Sequence, residues 1–388
     1  MLSSYTALDV ESVLDQILQS FSAPISFVFI GGTASEGLSH VYSDIDIYVV
    51  CQESSDRPAE PSNIDIIYHN GLEFHIIATV HDELQSKYSK LGTWVSVKEI
   101  VSNGTSWNVL FARARRNVEM LTKNDIKIGH RIWTAVPIYN EEKFFELRGQ
   151  LSLSNLRYMA AVRHAMWIWY AHQDAIGMFR SGDYLSVYAT TRTMVERCLL
   201  CVLALHGFTN DKPKWIVRQL VTAFGVNSSF LADVMKLWNS FTLEPTLESS
   251  ALHLDHCLHL AQLAFDIVVQ VALGANPSNM KVDERYSCQP PFRTNSRPDA
   301  AIRNPNVAIA TWHGELMLIS NLPLAQITPV AAAVWCEIDG QSDAERILCA
   351  IQDRYPDSSS LNISTSNVMK IIDEFVEAGF ATVSSQYQ

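Results

Sequence analysis

Two aspartates separated by a single residue, Asp44-Ile45-Asp46, follow a Gly31-Gly32-Thr33 turn with ten residues between the two motifs. In an extended strand, residues two apart share a face, so Asp44, Asp46 and Tyr48 point one way and Ile45, Ile47 and Val49 the other. Carboxylates held that close repel each other, and a hard divalent cation relieves the repulsion; Mg²⁺ is typically held by one or two carboxylates together with substrate phosphates. The two glycines end an apolar run, Ile25 to Ile30, where the backbone can pass close to a ligand and turn its N–H groups toward an anion such as a phosphate. Together these residues suit metal-assisted chemistry on a phosphate ester.

The elements that must position them are also visible. Val10, Val13, Leu14, Ile17 and Leu18 repeat at the spacing of an amphipathic helix. The order is then helix, strand, glycine turn, short helix and Asp-x-Asp strand. Gln52 to Asn63, with two prolines, reads as a loop. Ile64 to Val80 reads as a hairpin about His69-Asn70-Gly71, a tight-turn signal. Its strands carry two further acids in apolar surroundings, Asp65 and Glu73. Helices are expected at His81 to Lys90 and Asn108 to Thr122, with Arg113, Arg115 and Arg116 on a solvated face.

Gly-Gly-Thr, the ten-residue spacer and Asp-Ile-Asp resemble the signature of the nucleotidyltransferase superfamily, the fold of DNA polymerase beta and aminoglycoside nucleotidyltransferases. The resemblance implies a third carboxylate on a neighbouring strand. Glu73 is preferred because Leu-Glu-Phe-His-Ile-Ile is similar to the corresponding strand of streptomycin-type adenylyltransferases, and Asp65 is the alternative. It further implies that Asp44, Asp46 and Glu73 are catalytic and hold Mg²⁺, two ions in all. Gly31, Gly32, Thr33 and Ser43 would bind the nucleotide.

The chain has 388 residues, 48% apolar and 18% charged, enough for two or three domains with sizeable cores. A net charge of −12 argues against a non-specific binder of nucleic acid or of an anionic membrane. No apolar run has the length of a membrane span and the start lacks a secretion signal, so the expectation is the cytoplasm. Seven scattered cysteines fit reduced, buried residues, the Cys198-x-x-Cys201 pair included.

From about Glu141 to Leu273 long helical patterns dominate, broken at Ser181-Gly182-Asp183, His206-Gly207 and Gly225, and four to six helices are expected in an antiparallel bundle. Met166, Trp167, Trp169 and Tyr170 are expected in packing. His253, His256 and Cys257 lie on one helical face with His259 following, but lack a marked fourth ligand and read as an ordinary amphipathic face rather than zinc ligands. Ala204 to Leu220 resembles the helical domain of antibiotic nucleotidyltransferases. That likeness implies a triphosphate ligand in Lys214, placed in the first turn of a helix, with Lys212 as the fallback.

Pro277 to Asn304 reads as a linker. Beyond it, strands at Val307 to Trp312, Glu315 to Ile319 and Leu324 to Ile327 precede three short helices. The first is capped at Thr328-Pro329, the second at Ser342, and the third carries Val368, Ile371, Ile372 and Phe375. This run resembles the PqqD family, the winged-helix-like RiPP recognition element. The resemblance implies that a leader peptide adds a strand beside Leu324 and Gln326 and packs on Val368, Ile372 and Phe375.

The expected fold is therefore α+β. A nucleotidyltransferase α/β domain (1–125) precedes an all-α helical bundle (126–276), a linker (277–303) and a PqqD-like winged-helix domain (304–388). The expected function is metal-dependent transfer of a nucleoside monophosphate from NTP to a precursor peptide, with no nucleic-acid or membrane partner. A small-molecule nucleotidyltransferase, or a repurposed scaffold that binds nucleotide or nucleotide-sugar and peptide, remains open.

Overall fold

The computed structural model describes residues 7–21, 24–39, 43–52, 65–82, 84–86, 122–275, 282, 300–312, 315–319, 323–355 and 363–383. The segment that contains Arg113, Arg115 and Arg116 lies outside them. The chain folds into two compact units, one formed by residues 1–95 and 119–156 and the other by 96–118 and 157–388.

The first unit is built on a five-stranded sheet of order β3-β4-β2-β1-β5. Its strands are β1 (Ile25–Gly31), β2 (Ile45–Cys51), β3 (Asp65–His69), β4 (Leu72–Val80) and β5 (Val136–Tyr139). Only β2 and β4 run parallel; β1 pairs antiparallel with both β2 and β5. The β3–β4 hairpin turns at Asn70 and Gly71, whose φ angles of 51° and 79° are the left-handed pair that such a turn demands. Strand β5 falls where the sequence suggests only helices, because four residues that include a proline carry no readable alternation.

One face of the sheet is closed by α1 (Ala7–Ser20), whose Val10, Val13 and Ile17 pack on Val28, Ile30, Ile45, Ile47, Val49, Phe74 and Ile76. The opposite face begins as an aromatic layer. Phe29 stacks on Tyr48 at 4.8 Å between ring centroids and meets Phe144 of α4 (Glu141–Gly149) at 5.5 Å. The one-turn α2 (Gly32–Ser35) and α3 (Lys123–Thr134) complete the unit. A reciprocal capping box between Thr122 and Asp125 opens α3, and His130 reaches Glu36 at 3.0 Å.

The second unit carries α5 (Leu153–Ser181) from residue 157 on, α6 (Tyr184–Leu205), α7 (Ile216–Phe224), α8 (Ser229–Trp238) and α9 (Leu247–Ala272). Cys198, Cys201 and Cys257 are buried thiols, as expected. The aromatic residues of α5 depart from expectation. Met166, Trp167 and Tyr170 are 49%, 52% and 59% exposed, because Ala165, Ile168, Ala171 and His172 take the buried stripe.

After α9 come β6 (Ala301–Arg303), the antiparallel sheet β7 (Ala308–Trp312), β8 (Glu315–Ile319) and β9 (Pro323–Gln326), and the helices α10 (Pro329–Glu337), α11 (Ala344–Arg354) and α12 (Thr365–Glu377). The stretch expected as linker thus ends in a strand, and β6 pairs with β10 (Ala381–Val383). Helix α11 is capped by Asp343, one residue later than expected. Arg303 reaches both oxygens of Asp266 on α9, at 2.7 and 2.8 Å, with the two side chains 9% and 2% exposed. A second buried acid, Glu337, accepts from Gln270 at 2.9 Å and from Arg354 at 3.1 Å.

The histidine face of α9 is packing. His253 bonds Thr191 Oγ1 at 2.7 Å and Ser240 Oγ at 2.9 Å and stacks on Tyr188 at 4.2 Å. Burial, helped by nearby His256, lowers its pKa to about 4, so the folded state keeps it neutral. The unfolded chain takes up this proton near pH 6.5, and stability is therefore lost as pH falls from about 6.5 toward 4, by roughly 3 kcal/mol at most. Thermal unfolding followed across that range should show the loss, and His253→Gln should reduce it without abolishing it, because burial lowers the pKa of His172 to about 4 as well.

Candidate active site

The faces assigned from sequence hold along β2. Ile45, Ile47 and Val49 are buried against α1, while Tyr48, Asp46 and Asp44 lie on the other side. Exposure rises along that side: Tyr48 is 7% exposed, and the side chains of Asp46 and Asp44 are 18% and 49% exposed. The face passes from an aromatic layer to a pair of accessible carboxylates within five residues.

Glycine is required beside them. Gly31 is the register partner of Asp46, and a Cβ on it would stand 2.9 Å from the Tyr48 ring. Gly32 has φ 71°, and a Cβ there would come within 2.6 Å of Asp46 Oδ2. The turn thus presents bare backbone to the Asp46 carboxylate, and Thr33 follows it in α2.

Parallel pairing of β2 with β4 sets His75 directly opposite Asp46. Its Nδ1 lies 3.1 Å from Asp44 Oδ2 and 3.9 Å from Asp46 Oδ1. One donor atom from each of Asp44, Asp46 and His75 lies within 4.8 Å of the others, and this is the group among the described residues that could hold a metal ion. Donors about 2.1 Å from a common ion stand at most about 4.2 Å apart, so closure onto a cation needs only a small contraction.

Glu73 is on the expected strand and face, but its Oε1 lies 2.6 Å from His75 Nε2, on the far side of the imidazole from the aspartates. Asp65 opens β3 opposite Ile76. Ser43 stands two residues before β2 and is partly buried. His75 was not anticipated from sequence, although the alternation Glu73-Phe74-His75 already placed it on the acidic face.

A cation also borders the site. The Arg131 guanidinium of α3 sits 5.2 Å from the centre of the Tyr48 ring. Burial pushes the Tyr48 phenol well above its ordinary value; Arg131 opposes the shift, and Asp46 and Asp44 add to it.

The remaining expected residues belong to the second unit. Lys214 is exposed in a 3₁₀ turn (Pro213–Trp215) that precedes α7 rather than in the helix itself, with its ammonium 5.1 Å from the centre of the Trp215 ring. Lys212 stands just before that turn. Val368 and Phe375 are buried, the latter edge-on to Trp335 at 5.2 Å; Ile372 is half-buried and Gln326 exposed. Leu324 lies on β9, whose only paired neighbour among the described residues is β8.

No family model matches the sequence, and no curated protein matches it. Among solved structures, the chain is similar to a nucleotidyltransferase-like protein from Exiguobacterium sibiricum 255-15, with 12% identity and a TM-score of 0.37 over 66% of this chain and 75% of that one. A likeness that distant carries no weight here, and the site geometry stands by itself. No helix among the described residues is long and apolar enough to cross a membrane.

Proposed function

We propose that the chain is a metal-dependent nucleotidyltransferase that moves a nucleoside monophosphate from an NTP to an acceptor hydroxyl. The observation that carries this reading is the convergence of Asp44, Asp46 and His75 beside a glycine turn into which no side chain fits. A bound divalent ion would offset charge on the leaving pyrophosphate and polarise the α-phosphate. Asp44 and Asp46 would hold it, while the Gly31-Gly32-Thr33 turn beside Asp46 would offer its backbone N–H groups to the triphosphate. Arg131 adds positive charge behind Tyr48 on the same face. Glu73 orients His75 through their 2.6 Å contact.

The acceptor in this reading is a ribosomally made precursor peptide recognised by the second unit. What supports it is that β9, among the described residues, pairs with β8 alone; a strand added at its other edge would gain affinity from backbone hydrogen bonds and choice of partner from flanking side chains. Val368 and Phe375 lie in the unit's own core, so the contacts on α12 would fall to Ile372 and its exposed neighbours.

The full chain should be incubated with Mg²⁺ or Mn²⁺, each α-phosphate-labelled NTP, and in turn a panel of short precursor peptides and a panel of aminoglycosides. Label on a peptide is the expected outcome. Label on aminoglycosides alone would move the assignment to the small-molecule class, and the absence of both label transfer and pyrophosphate release in every combination would remove the enzymatic reading.

A further inference from the structure

The donor set differs from the all-carboxylate set that the Asp-x-Asp motif suggests, and the difference is chemical. The position opposite Asp46 on the neighbouring strand is held by an imidazole. We infer that the site selects a first-row transition-metal dication bound through His75 Nδ1, rather than Mg²⁺. This rests on the reading of the site as a metal site, though not on the identity of the acceptor.

The orientation of the ring carries the inference. His75 Nε2 lies 2.6 Å from Glu73 Oε1. A carboxylate can only accept there, so Nε2 bears a hydrogen and Nδ1 is the nitrogen a metal ion would take, displacing any proton held between it and Asp44. That nitrogen faces Asp44 Oδ2 at 3.1 Å and Asp46 Oδ1 at 3.9 Å. The donor atoms of the three side chains lie within 4.8 Å of one another, close enough for a single ion to take all three. A carboxylate fixing the far nitrogen of a histidine is the usual outer support of a metal-bound imidazole, where it sets the tautomer and raises the basicity of the ligand.

Magnesium holds oxygen ligands and waters and gains little from a nitrogen donor, whereas imidazole suits transition ions. Exchanging a third carboxylate for His75 also lowers the negative charge of the set, which weakens hold on a hard ion more than on one that bonds nitrogen well. The parallel β2–β4 register fixes the ring opposite Asp46, so the donor is built into the sheet rather than borrowed from a loop.

Mn²⁺ is the probe, since it reports nitrogen ligation by its electron spin echo modulation. The full chain is titrated with Mn²⁺ with and without a non-hydrolysable ATP analogue, in competition with Mg²⁺. Wild type should bind Mn²⁺ saturably with ¹⁴N modulation from a directly bound imidazole. His75→Gln should lose the modulation, and Glu73→Gln should weaken Mn²⁺ binding about 10- to 100-fold. His75→Asp should shift the Mn²⁺-to-Mg²⁺ preference toward Mg²⁺ by about tenfold or more, a change that a merely misfolded variant could not produce. Saturable Mn²⁺ binding without nitrogen modulation would overturn the inference and leave the metal site standing. Absence of saturable binding in wild type would overturn both.

Discussion

Asp46→Asn is expected to reduce nucleotidyl transfer by a factor on the order of 10³ or more, the loss that follows when several kcal/mol of metal-borne charge stabilisation is withdrawn. Asp46 is the residue on which the site's parts meet: it pairs with Gly31, lies against the bare backbone of Gly32 and faces the imidazole of His75. Asparagine keeps the volume and the rotamer but removes the charge, so the fold is expected to survive. Pyrophosphate release measured under saturating NTP and metal tests the loss, with a thermal melt as the control for folding. Unchanged turnover in a well-folded variant would refute the assignment of Asp46, and with it the placing of the metal on β2.

Arg303→Met is the second large effect, and it concerns stability. Asp266 is 2% exposed and takes two short hydrogen bonds from Arg303, whose guanidinium also lies 5.7 Å from the centre of the Trp335 ring. The methionine fills much of the volume but leaves the carboxylate without its counter-charge in a place closed to water. Removing one member of a buried ion pair costs about 3–5 kcal/mol. Urea unfolding of the second unit's signal should register that loss as a lower midpoint. Replacing both partners, Arg303→Met with Asp266→Leu, should recover most of it, because no charge then remains to be solvated. A single variant as stable as the parent would mean that water reaches Asp266 after all.

Much of this was open to inspection in the chain. The aspartate pair and the glycine turn are local signals, since a two-residue period and a residue without Cβ announce their geometry wherever they stand. The Asn70-Gly71 hairpin is equally local, and so is the cap at Thr328. His75 was hidden for the opposite reason. Which residue of β4 lies opposite Asp46 is decided by parallel register between strands far apart in sequence, and no short-range pattern encodes it. Strand β5 is too short to alternate, and Arg131 sits in a helix whose facing element could not be foreseen.

The aromatic residues of α5 teach a related lesson. A helix that is apolar almost all round does not declare which stripe it buries, and Trp167 and Tyr170 ended on the exposed side. The buried pair Arg303 and Asp266 likewise gave no signal: the arginine sits at the end of a polar stretch that looked like linker, and its partner is a lone acid in an apolar helix.

Strand β2 is flanked by β1 on one edge and β4 on the other, and both ladders lock it. A deletion of a single residue between Ile45 and Tyr48 would therefore invert the side chains on one side of it: with the later residues held in register, Asp44 is driven into the greasy layer beneath and Ile45 is lifted into the opening. Length changes inside this strand should be lethal to the protein even where substitutions are merely inactivating, so natural variation in spacing must be absorbed elsewhere along the chain.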